Sequence, residues 1–179
     1  MRTFVAVEID NDSILQKIKS MQESVSFEAK PVRIDQIHFT LQFIVEINQE
    51  KVELVKQALM TLSFSKFELT IMHSGAFPNP KKPRVVWLGV DKNGGEKISS
   101  LANDVNKVLG TIGLKNEKPF KPHLTIFRVK NRIGDITSEL LKFKDVEFGK
   151  QMITKIVLKK SELAQNGPEY TNLGIVSEK

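Results

Sequence analysis

IHFTLQFIV, residues 37–45, and PHLTIFRV, residues 122–129, decide how this chain is read. Both are rich in β-branched and aromatic residues and predict strands. Side chains two apart on a strand share a face. His38 and Thr40 therefore project together, with Phe39 and Leu41 turned toward apolar packing. His123 and Thr125 repeat the arrangement, with Leu124 and Ile126 on the core side. Working outward, FVAVEID at 4–10 matches VVWLGVD at 85–91 with an offset of 81, while HFTL and HLTI begin at 38 and 123, an offset of 85. One loop absorbs the difference of four.

Each of these opening strands is followed by a predicted amphipathic helix. Ile14, Ile18, Met21 and Val25 mark the first, with Asn11 or Asp12 as its cap, and Ile98, Leu101, Val105, Val108 and Ile112 mark its counterpart. Beyond each His-x-Thr strand stands an asparagine (Asn48, Asn131), then a second helix, through Val52, Val55, Leu59 and Leu62 or Ile133, Ile136 and Leu140. FELTIMH (67–73) closes the first half, and VEFG (146–149), MITKIVLKK (152–160) and YTNLGIV (170–176) close the second. The proline-studded FPNPKKPR reads as a stiff connection, and Gly94-Gly95 as an ordinary turn before a helix.

The expected fold is α+β, one bilobed domain over 1–179 with repeat halves near 1–80 and 81–179. Each pseudo-symmetric lobe is expected to be a mostly antiparallel sheet with helices on its outer face, and a cleft lies between the lobes.

Apolar residues at 40% and charged residues at 27% are those of an ordinary globular protein, which excludes disorder or coiled coil as a description of the whole. No apolar run is long enough to span a bilayer. MRTFVAVEID is too short and too acidic for a signal peptide, so a cytoplasmic protein without membrane contact is expected. There is no cysteine, which excludes disulfides and thiolate metal sites and is compatible with a reducing compartment. The net charge of +6 is uneven: residues 1–89 carry +1 and residues 90–179 carry +5. A basic half suits a phosphate-bearing partner, and Lys118, Lys121 and Arg128 are its bases nearest His123 in sequence.

Imidazoles titrate near pH ~6.5, so of two facing each other one can be neutral and one protonated at neutrality. The first takes a proton from water, and the second gives one to a leaving oxygen. That is concerted acid–base catalysis suited to a phosphodiester. The hydroxyls of Thr40 and Thr125 can donate to non-bridging phosphate oxygens. No His-x-His, HExxH or carboxylate cluster accompanies either histidine, so neither a metal nor another cofactor is expected. His73, the third histidine, has Gly75 where the others have threonine and reads as a surface or satisfied strand residue. Nucleotide-loop and nucleophile-elbow motifs are absent from the sequence.

At these residues the sequence resembles the two-histidine phosphoesterase superfamily, whose hallmark is a pair of His-x-Thr motifs. Within it the chain is most similar to the RNA 2′,3′-cyclic phosphodiesterases, once described as 2′-5′ RNA ligases. The likeness runs through MRTFVAV, HFTLQF, FP at 77–78, PRVVWLGV at 83–90, PFKPHLTIFR at 119–128 and the closing SEL…GPEY at 161–170. The resemblance implies metal-independent hydrolysis of an RNA 2′,3′-cyclic phosphate end to a 2′-phosphomonoester; a monomer is expected. His38 would be the general acid toward the departing 3′ oxygen, and His123 the general base activating water. Thr40 and Thr125 would bind phosphate oxygens. Phe43 and Arg128 would lie near the nucleotide. Each stands five residues after its histidine, which simple alternation places on the wrong face, so a bulge or a twist at the strand end is required. One departure is Phe43-Ile44-Val45-Glu46, where relatives often have Phe-Leu-Gly-Glu. The alternatives are another two-histidine activity, on a small cyclic nucleotide or in 2′-5′ RNA end joining, and a non-catalytic RNA-binding module that would not need both histidines.

Overall fold

The structure, a computed structural model, describes residues 1–179. Nine strands form one sheet: β1 (Arg2–Glu8), β2 (Lys30–Pro31), β3 (His38–Ile44), β4 (Phe67–Phe77), β5 (Val85–Val90), β6 (Leu124–Arg128), β7 (Glu147–Ile153), β8 (Lys155–Ala164) and β9 (Gly167–Ser177). Four helices accompany them: α1 (Asp12–Ser24), α2 (Gln49–Met60), α3 (Lys92–Gly110) and α4 (Thr137–Leu141). No helix is long and apolar enough to cross a membrane.

Pairing is antiparallel throughout, in the order β7-β4-β5-β6-β3-β1-β8-β9, with the short β2 added to β6. The expected two lobes are its two halves, β9-β8-β1-β3 and β6-β5-β4-β7. They meet at β3 and β6 through one residue pair, Phe39 opposite Leu124. The last strand of each half has crossed over. β4 follows the first half in sequence yet pairs with β5, and β8 follows the second half yet pairs with β1. A second junction ties the lobes: only Thr154 separates β7, at one edge of the sheet, from β8, two strands inside the other lobe. One residue spans at most ~3.6 Å, so the sheet must curl until these strand ends adjoin.

One face of the sheet carries the core. Val5, Val7, Phe39, Val86, Leu88 and Leu124 pack there with Ile14 and Ile18 of α1 and Ile98, Leu101 and Val105 of α3, all within a continuous cluster of 33 buried residues. Burial of each such aliphatic chain contributes about 1.5–3 kcal/mol, far more than helix propensity alone supplies. The caps are set by sequence. Asn11 accepts from the Ile14 N–H at 3.2 Å and Asn48 from the Lys51 N–H at 2.9 Å.

α3 corrects the sequence expectation at its start. Gly94 and Gly95 lie inside its first turn, not in a turn before it. Asp91 is the cap, accepting from the Gly94 N–H at 3.0 Å and from the Thr70 N–H of β4 at 2.8 Å. A Cβ at Gly94 would collide with the Asp91 carboxylate and with Leu69, so glycine is demanded by close approach to the sheet. β4 also runs beyond the expected strand, through Phe77.

Candidate active site

The two His-x-Thr segments diverge from their single bridge, and together they line a cleft of about 1470 Å³. His38, Thr40, His123 and Thr125 all line it. The alternation read from sequence holds: Phe39 and Leu124 are buried in the core while each histidine and threonine stays partly open.

Phe43 and Arg128 line the same cleft, and a bulge in each strand puts them there. Along β1–β3, Val5 pairs with Gln42 and Ala6 with Thr40, leaving Leu41 as the extra residue. Along β5–β6, Val86 pairs with Phe127 and Trp87 with Thr125, leaving Ile126 extra. Each bulge falls three residues after its histidine. It shifts the alternation by one, so the fifth residue returns to the histidine's face. Phe43 is 71% exposed, unusual for phenylalanine and suited to contact with a flat apolar ligand group.

The histidines are held alike. His38 Nδ1 donates to the Gln36 carbonyl at 2.6 Å, and His123 Nδ1 donates to the Lys121 carbonyl at 2.7 Å. Each bond fixes the tautomer and leaves Nε2 for the cleft. The Thr40 hydroxyl donates to His38 Nε2 at 3.1 Å.

Their surroundings differ. Phe4 and Tyr170 enclose His38, with ring centroids at 5.1 and 5.5 Å. Burial is the main reason the His38 pKa falls to about 4, and the charges of Lys159 and Arg128 depress it further against the Gln36 carbonyl and Glu8. His38 is thus neutral in the free protein at neutral pH. His123 meets one ring edge-on, Phe77 at 5.1 Å, which in turn packs on Trp87. Burial raises the Tyr170 pKa, with Arg128 beside the phenol opposing it, so the hydroxyl remains a donor.

Eight lysines and arginines line the cleft against two glutamates. Lys118, Lys121 and Arg128, nominated by sequence, are among them, and Lys30, Arg33 and Lys130 extend the positive wall. Such a cavity favours an anionic ligand. His73 lies elsewhere, exposed at a bulge of β4 with a φ of 66°. Phe4, Phe77 and Tyr170 were not assigned roles by sequence reasoning. FP and GPEY belong to the stretches that carry the resemblance, but only the fold shows that their rings touch the histidines.

The family described as AKAP7 2′5′ RNA ligase-like domain matches residues 2–174. A protein of Archaeoglobus fulgidus named RNA 2′,3′-cyclic phosphodiesterase is 37% identical over 177 residues, covering 98% of this chain and 99% of its own. One of the same name from Methanothermobacter thermautotrophicus is 33% identical, covering 98% and 97%. The crystal structure of TT0787 of Thermus thermophilus superposes with a TM-score of 0.78 at 27% identity, over 99% of this chain and 97% of that one. That of Escherichia coli LigT complexed with 3′-AMP gives 0.79 at 24% identity over 99% and 97%, a likeness of fold. With its paired His-x-Thr devices on one cleft, this chain belongs to the AKAP7 2′5′ RNA ligase-like family of two-histidine phosphoesterases.

Proposed function

We propose that this chain is a metal-independent RNA 2′,3′-cyclic phosphodiesterase that leaves a 2′-phosphomonoester. The observation that carries this reading is the duplicated device: two imidazoles, each anchored through Nδ1 and paired in sequence with a threonine, on one basic cleft. His123 acts as general base and removes a proton from water. The water oxygen bonds to phosphorus, the bond from phosphorus to O3′ breaks, and His38 as general acid delivers a proton to O3′. Thr40 and Thr125 donate to the non-bridging oxygens. Phe43 stacks on the nucleotide base, and Arg128 supplies positive charge to the phosphate.

His38 rests neutral, so the bound anion has a second task. A phosphate beside the imidazole favours its charged form and draws in the proton that catalysis spends. The same proposal takes the names of the relatives as a guide to substrate, and the eight basic side chains of the cleft favour an RNA strand over a lone nucleotide.

The test is incubation of an oligoribonucleotide ending in a 2′,3′-cyclic phosphate with the protein in EDTA. Conversion to a 2′-phosphate end is expected. An intact cyclic end, a 3′-phosphate product or dependence on added metal overturns the reading.

A further inference from the structure

The repeat is broken next to the histidines. The offset that aligns FVAVEID with VVWLGVD makes Phe4 equivalent to Val85 and Glu8 equivalent to Gly89. Register extends the correspondence: Lys159 lies opposite Phe4 in the β1–β8 pairing, and Phe77 lies opposite Val85 in the β4–β5 pairing. The first lobe therefore holds glutamate and lysine where the second holds glycine and phenylalanine. Glu8 is the residue opposite His38 in the β1–β3 pairing. Its carboxylate accepts the Lys159 ammonium at 2.5 Å, and Lys159 also donates to Asn172 of β9 at 2.8 Å. The Lys159 side chain is only 9% exposed and Glu8 28%. A lysine is rarely buried so fully unless it is paired, and replacing such a pair by apolar residues is often neutral or stabilising, so stability alone does not account for the pair.

We infer that the Glu8–Lys159 pair is a positioning device that makes the two histidines unequal, its two opposite charges setting how readily His38 accepts the proton it must deliver. This rests on the acid role proposed for His38. Four titratable groups face the His38 ring from the elements around it: Glu8 on β1, Lys159 on β8, Arg128 on β6 and Tyr170 on β9. The first favours the imidazolium, and Lys159 and Arg128 oppose it. Tyr170 acts by excluding water while its phenol stays neutral. Only the pair can be altered without touching a group placed against the substrate.

Two substitutions should move His38 in opposite directions. E8Q leaves the ammonium uncompensated, so the His38 titration followed by NMR of its ring protons should shift to lower pH. K159M leaves the carboxylate, so the midpoint should rise by about one unit, the low end for a neighbouring charge. The double variant E8Q/K159M removes both charges, holds the volume, and should return the midpoint toward wild type. In turnover of the cyclic-phosphate oligonucleotide, kcat/KM at neutral pH should follow the same order, since it scales with the fraction of His38 that carries the proton. Shifts in one direction only, or losses of Tm with an unmoved midpoint, overturn the inference. The NMR midpoints need no turnover. Correct shifts in a protein that fails to hydrolyse the RNA would leave the pair's role standing and sink the acid assignment.

Discussion

At the scale of single residues, the proposed mechanism makes His38 and His123 two ends of one proton path. His38→Ala and His123→Ala should each lower kcat by about 10²–10⁴-fold, and the double variant should fall little further because the pair acts as a unit. Full turnover in either single variant would refute the mechanism. His73→Ala should match wild type, since that ring lies outside the cleft. Burial of His38 also has a cost in acid. Its pKa is about 4 folded against 6.5 unfolded, so below pH 6.5 the unfolded chain binds a proton that the folded one refuses. Stability is intact above that pH and falls by about 3 kcal/mol as pH drops from 6.5 to 4. Thermal melts across that window should show a decline that His38→Gln flattens. The histidines and threonines were legible in sequence because alternation is local. Tyr170 and Lys159 were not, because strand register across more than a hundred residues brings them to His38, and Glu8 reaches it only through the β1–β3 register.

At the scale of elements, the paired bulges were legible only as a requirement. Phe43 and Arg128 had to change face, and Leu41 and Ile126 are the residues that make them do so. The start of α3 was missed because two glycines in succession argue against a helix, and the contact of Gly94 with Leu69 belongs to the packing of helix on sheet. That contact decides a sign. Alanine favours helix over glycine by about 1 kcal/mol, but overpacking costs about 1–3 kcal/mol. Gly94→Ala should therefore destabilise the protein in chemical denaturation. A gain in stability would mean that α3 lifts freely off β4.

For the whole molecule, the sequence repeat correctly announced two lobes and did not announce their exchange of strands. Periodicity records which residues face a core, not which strand lies beside which. Because each lobe borrows a strand from the other, we expect residues 1–179 to unfold as one cooperative unit. A cut in the exposed loop near Lys81 and Lys82 should leave the two pieces associated on gel filtration, whereas residues 1–80 expressed alone should not fold, since β1 would lack β8 and β4 would lack β5. A folded, monomeric 1–80 fragment would show that the exchange is dispensable.

Thr154 carries a mechanical consequence. With β7 and β8 running into each other through that one residue, the lobes are clasped there as well as at Phe39 and Leu124. Two jaws joined at one point can swing, but two joined at separate points are held against swinging. The gap between the imidazoles is then expected to keep its width on binding, which crystals of the free and nucleotide-bound protein would check. On that expectation a ligand enters a standing opening without having to shut it, and its rate of capture should follow diffusion and the pull of the basic walls, falling as salt is added.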